Sequence, residues 1–187
     1  MRSDAHSDPP AVRLGHGFRD GLLGRVVELH ALYYAPTWGL GLPMEIAMAK
    51  GLAELASRYD PERDRILWAE ADGRVVGSIT VDGIDGHGRG AKIRWFILDP
   101  GLHGRGIGAR LIDGALSFCR ERRYARVYLE TFEGLTAAIT LYRRAGFRES
   151  ATTRTPLWGT EIEVLEMELD LSRAAAATGE TSAPQLP

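Results

Sequence analysis

Apolar residues along this chain recur at two periods. Leu22, Leu23, Val26, Val27, Leu29 and Leu32 return every three or four positions, which predicts an amphipathic helix over Leu22–Tyr34. Pro36 is expected to stop it. Met44, Ala47, Met48, Leu52, Leu55 and Ala56 repeat the pattern over Met44–Tyr59, with Pro43 suited to the first turn. Ile107, Leu111, Ile112, Ala115, Leu116 and Cys119 make the stripe of a third helix reaching about Arg122. Ala138, Leu141, Tyr142 and Ala145 mark a fourth over Thr136–Ala145, stopped by Gly146. Strand-like segments fill the rest. Arg65–Glu70 and Val75–Val81 flank Asp72-Gly73, a hairpin signal. Lys92–Asp99, Arg126–Thr131, Phe147–Leu157 and Glu161–Leu169 follow, the last slipping phase once near Leu165. Val12–Leu14 is a short first strand.

The order is strand, two helices, three strands, helix, strand, helix, two strands. Hairpins mixed with helix crossovers predict an α+β domain with a mixed, mostly antiparallel sheet. That domain should span residues 12–170, between a disordered leader (1–11) and a disordered tail (171–187), both polar and without periodicity. The chain has 187 residues, 44% apolar and 26% charged, enough for one real core. A net charge of −2 gives no reason to expect a nucleic-acid or membrane partner. One cysteine, Cys119, allows no intrachain disulfide, and no apolar run reaches membrane-span length. The expected setting is cytoplasmic. No pair among the five histidines has metal-ligand spacing, so no metal is expected.

Chemistry concentrates in Lys92–Arg110. A buried strand runs into Asp99-Pro100-Gly101, then into glycines 104, 106 and 108 at a helix start. Free N–H groups and the dipole at a helix N-terminus favour an anion, and glycines let it come close. A dinucleotide fold needs G-x-G-x-x-G in its first βαβ unit, yet three strands precede this loop. A P-loop needs Gly-Lys-Ser/Thr, which is absent. His103-Gly104-Arg105-Gly106-Ile107-Gly108 resembles the R/Q-x-x-G-x-G/A signature of the GNAT superfamily of acyl-CoA N-acyltransferases. Ala137–Phe147, A-A-I-T-L-Y-R-R-A-G-F, resembles that family's second motif. The likeness is specific over Lys92–Phe147 and general over Val12–Val81. It extends to the acetyltransferase half fused to some MarR-type regulators.

The resemblance implies a GNAT-like α/β/α domain: six to seven strands splayed between the fourth and fifth, with four helices. It implies acetyl-CoA as acyl donor and a primary amine as acceptor, on a small molecule, peptide or protein, with a homodimer allowed. Phe96, Ile97 and Leu98 would pair with the pantetheine arm, and the Phe96 N–H would polarise the thioester carbonyl. His103, Gly104, Arg105, Gly106, Ile107, Gly108 and Ala109 would hold the pyrophosphate, with Thr131 and Ala138 on the facing wall. Tyr142 stands where the family keeps a tyrosine that protonates the leaving thiolate. The chain departs from the pattern at His103, where Arg or Gln is usual, and at Leu135, where Asn is usual. Lys92 occupies the strand position where many members carry a glutamate. Glu130 is therefore the candidate base, ahead of Glu45 and His30. Loss of turnover would leave an acyl-CoA sensor module instead.

Overall fold

The computed structural model describes residues 11–172. Strand β1 (Arg13–His16) precedes two helices, α1 (Leu22–Trp38) and α2 (Leu42–Ser57). β2 (Arg65–Ala71), β3 (Arg74–Asp82) and β4 (Ala91–Leu98) form an antiparallel meander. α3 (Ile107–Glu121) crosses to β5 (Arg126–Phe132), which runs parallel to β4. α4 (Thr136–Arg144) leads into the hairpin of β6 (Arg148–Leu157) and β7 (Thr160–Asp170). Among the described residues seven strands lie in the order β1-β2-β3-β4-β5-β7-β6, and β4–β5 is the one parallel pair.

Two apolar layers sandwich the sheet. Ile79, Val81, Ile93, Leu129 and Met167 pack against Leu111, Ile112 and Ala115 of α3. Ile66, Val75, Ile162 and Phe132 pack against Leu22 and Val26 of α1 and Met44, Met48 and Leu52 of α2. Helices on both faces explain why the central strands read as long apolar runs. Asp72 (φ 49°) and Gly73 (φ 76°) close the β2–β3 hairpin with both turn residues left-handed, as the Asp-Gly pair predicted.

Two sequence readings need correction, and a third gains its explanation. Helix α1 continues through Pro36 to Trp38 and is capped by Gly39, whose N–H donates to the Ala35 carbonyl. Proline in the last turn removes one helical bond. Trp38 still packs on Tyr34 and Phe132, with ring centroids 5.5 and 5.6 Å away. The phase slip near Leu165 is present and needs no bulge in β7, which pairs with β5 in unbroken register from Phe132↔Val164 to Arg126↔Asp170. Val164 joins the α1/α2 layer, and Met167 and Leu169 the α3 layer, so apolar residues belong to both faces there. Leu171, assigned to the tail, is buried, and its N–H donates to the Ala125 carbonyl at 2.9 Å. The rest of the expected leader and tail, 1–10 and 173–187, lies outside the described residues.

Candidate active site

The site begins where two strands part. β4 and β5 pair only at Ala91↔Val127, Lys92↔Tyr128 and Ile93↔Leu129. From Arg94 to Leu98, β4 continues without β5 beside it. A bulge marks the divergence. β3 pairs Thr80 with Arg94 and Ser78 with Ile97, so β4 holds one residue more than its partner. Trp95 takes up the excess at φ 47°, a costly conformation for a bulky side chain. The Arg94 guanidinium lies 4.1 Å over the Trp95 ring, so both side chains project on the same side of the sheet. The bulge shifts the alternation beyond it, and Phe96 and Leu98 join Ala91 and Ile93 in the α3 layer.

The chain then turns sharply. Asp99 caps a single 3-10 turn, Pro100–Leu102, by accepting from the Gly101 N–H at 2.9 Å. Gly104 (φ 75°) and Gly106 (φ 73°) are left-handed, and a Cβ on either would meet no atom within 4 Å. Their role is conformational, and the space above them is open. Gly106 is the N-cap of α3, and no side chain caps that helix, so its first N–H groups await another partner. Gly108 serves a different purpose. A Cβ there would stand 3.0 Å from Leu141 Cδ2 and 3.4 Å from Phe96 Cζ, so its absence lets α3, α4 and β4 meet closely.

Two cavities flank the splay. The larger, about 370 Å³, is bounded by the end of β4, the glycine loop, the start of α3 and one face of α4. The smaller, about 280 Å³, lies between α1, α2, the diverging parts of β4 and β5, and the tip of the β6–β7 hairpin. Tyr34, Phe96, Leu135 and Ala138 line both, so the cavities meet at the splay.

Most of the residues singled out from sequence converge here. Phe96, Ile97, Leu98, His103, Gly104, Gly106, Ile107, Gly108, Ala109 and Ala138 line the larger cavity. The Ile107 side chain is itself buried in the core, which leaves its backbone for the site. The His103 Nε2–H donates to the Leu98 carbonyl at 3.1 Å, holding the end of β4. Arg105 is exposed and does not line the cavity. Tyr142, Thr131 and Glu130 line the smaller cavity. Tyr142 is buried with its ring 5.9 Å from that of Phe96, and burial holds its hydroxyl far above the ordinary phenol range, fully protonated. Glu130 is 45% exposed at the rim and paired with Lys92 Nζ at 2.9 Å. Glu45 does not line either cavity.

Sequence reasoning overlooked part of the second cavity. Trp158 (φ 52°) and Gly159 (φ 85°) form the β6–β7 turn, and Trp158 with Leu157 reaches the cavity wall. The signal was Trp-Gly between two alternating segments. His30 lines the same cavity from α1, and its Nδ1–H donates to the Val26 carbonyl at 2.7 Å. Burial depresses this imidazole to about 4, outweighing the opposing effect of that hydrogen bond. Among the described residues there is no group of three or more His, Cys, Asp or Glu able to hold a metal ion, and no helix is long and apolar enough to cross a membrane.

Solved structures share this architecture. A ribosomal-protein-alanine N-acetyltransferase from Brucella melitensis superposes with a TM-score of 0.66 at 20% identity, covering 85% of this chain and 99% of its own. A Salmonella typhimurium protein solved with its cofactor acetyl-CoA gives 0.66 at 18% identity, covering 94% and 99%. At these identities the likeness concerns the fold. Among curated relatives, human N-acetyltransferase 8B is 26% identical over 125 residues, 65% of this chain and 55% of that protein. A mycothiol acetyltransferase from Clavibacter sepedonicus is 36% identical over 95 residues, 50% of this chain and 29% of that protein. The chain thus spans about half or less of the length of these two relatives. Residues 23–147 match the sequence model of the Acetyltransferase (GNAT) family, and with the splayed β4–β5 pair and the glycine loop before α3, the chain belongs to that family.

Proposed function

We propose that this chain is an N-acetyltransferase that moves an acetyl group from acetyl-CoA to a primary amine by direct attack on the thioester. The observation that carries the reading is the splay, which joins a cavity on the glycine loop to a separate cavity under α1 and α2. Donor and acceptor can then meet from opposite sides of one sheet.

In this reading the backbone of Phe96 to Leu98, free of β5, pairs with the pantetheine arm. The amides of Gly104, Gly106, Gly108 and Ala109 hold the pyrophosphate at the α3 N-terminus. The Phe96 N–H polarises the thioester carbonyl and stabilises its oxyanion. The amine enters as free base, having lost a proton at the solvent-exposed rim by Glu130. Its lone pair forms the C–N bond and the C–S bond breaks. Tyr142, kept protonated by burial, gives its proton to the thiolate, and the proton then shed by the new amide nitrogen restores the phenol. Amine and acetyl-CoA give amide and free CoA thiol.

Incubation with acetyl-CoA and a panel of amines, read as thiol release, tests this. Amine-dependent release supports it. Tight acetyl-CoA binding with no release from any amine would instead favour an acyl-CoA sensor, a reading to which Lys92 at the usual glutamate position lends some weight.

A further inference from the structure

The acceptor cavity carries information about the amine itself, given the acyl-transfer reading above. Most residues of its wall are apolar, Met44, Met48, Trp95, Leu157, Trp158 and Val164 among them. Its charged groups are already engaged. Lys92 Nζ is 2.9 Å from Glu130, and Arg94 Nη1 is 3.0 Å from Asp82 while stacked on Trp95. A polyamine or aminoglycoside brings further ammonium groups, each of which needs a carboxylate if it is desolvated. Glu130 is the single carboxylate on this wall, and Lys92 holds it. An apolar amine makes no such demand, and its body gains from contact with the thioether and indole surfaces.

Four uncharged polar side chains remain inside: His30, Tyr34, Thr131 and Tyr142. The three hydroxyls can each donate. His30 cannot, because its Nδ1–H is committed to the Val26 carbonyl and Nε2 therefore carries only a lone pair. We propose that this cavity takes a primary amine on an apolar or aromatic body, bound as the free base, with one N–H donated to His30 Nε2. A neutral amine has two N–H donors and one lone pair, so a single acceptor can hold it while the lone pair stays available. Burial keeps the imidazole uncharged at neutral pH, so His30 presents no positive charge to the amine. The His30 ring stacks on Tyr34, centroids 5.8 Å apart at 28°. Tyr34 lines both cavities, which places the held amine beside the passage to the donor.

The test uses 2-phenylethylamine, tryptamine, spermidine and kanamycin with acetyl-CoA, on wild type, His30→Leu and His30→Gln, with acetyl-CoA affinity measured for each. The two arylalkylamines should exceed the two polycations at least tenfold in kcat/KM, the penalty of an unpaired buried ammonium. His30→Leu should lower arylalkylamine kcat/KM about tenfold through KM, the usual worth of one hydrogen bond. His30→Gln, which restores an acceptor oxygen, should recover part of it. All three proteins should bind acetyl-CoA alike. Preference for spermidine or kanamycin overturns the proposal. So does absence of arylalkylamine turnover in a protein that binds acetyl-CoA, a His30→Leu variant equal to wild type, or a His30→Gln variant no better than His30→Leu. A wild-type chain that fails to bind acetyl-CoA removes the acyl-transfer reading, and this inference falls with it.

Discussion

Gly106→Val separates the two things asked of the glycine loop. Gly106 sits at φ 73°, and a side chain there would meet no protein atom within 4 Å. The folding penalty should therefore come from the backbone alone. A left-handed conformation costs an L-residue about 1–2 kcal/mol. For a chain of this length that corresponds to a fall in Tm of roughly 2–8 °C. The added isopropyl group would occupy the open space over the α3 N-terminus, where the pyrophosphate is proposed to lie. Displacing two charge-assisted contacts, at about 1.5–3 kcal/mol each, should weaken acetyl-CoA binding by at least roughly a hundredfold. Thermal unfolding and isothermal titration on the same sample read the two numbers independently. Gly108→Ala is the control. Its Cβ would press on Leu141 and Phe96 rather than enter open space, so it should disturb packing more than affinity. A Gly106→Val protein that binds acetyl-CoA as well as wild type would show that the anion does not sit on this loop.

Other outcomes follow from individual side chains. Tyr142→Phe should lower kcat about a hundredfold, the lower end for loss of a general acid, and leave acetyl-CoA affinity nearly unchanged; steady-state kinetics beside titration checks this. Asp82 is buried, which would raise its carboxyl pKa, but hydrogen bonds from Arg58 and Arg94 outweigh burial and lower it. A lowered carboxylate pKa contributes stability above the unfolded value, near 3.9, and that stability is lost as pH falls through the folded value. Asp82→Asn should flatten this acid limb in denaturant titrations and cost about 3 kcal/mol at neutral pH, by leaving two arginines short of their partner. Burial pushes the Cys119 thiol up to about 12, so a disulfide reagent at pH 8 should label it only after denaturation. Rapid labelling of the native protein would contradict its place in the core.

Much of the cavity on the glycine loop was legible in the residues because its determinants are local. Backbone conformation at 104 and 106 demands glycine, the start of α3 follows directly, and Tyr142 lies on a helix whose stripe is plain. The second cavity depends on pairings between distant segments. The bulge at Trp95 has no local signature, yet it sends Phe96 to the α3 layer and leaves Arg94 and Trp95 together on the second cavity. Glu130 stood as a candidate base without its actual partner, because Lys92 lies far away in sequence; parallel pairing of β4 with β5 brings the two into contact. His30 ranks from sequence only as a lesser candidate base, behind Glu130. Its significance comes from burial, from the Val26 carbonyl one turn back, and from the cavity that α1 closes over β4 and β5. Pro36 misled because it removes only the one bond to the Leu32 carbonyl, and Trp38 beyond it still gains aromatic contacts.

The central claim is that the splay between β4 and β5 is an acyl-CoA cleft. A crystal structure of the chain with acetyl-CoA tests it most directly. The pyrophosphate should lie on the amides of Gly104 to Ala109, the pantetheine arm along Phe96 to Leu98, and the thioester between Phe96 and Tyr142. Density for acetyl-CoA outside the splay, with the glycine loop left uncontacted, would contradict it.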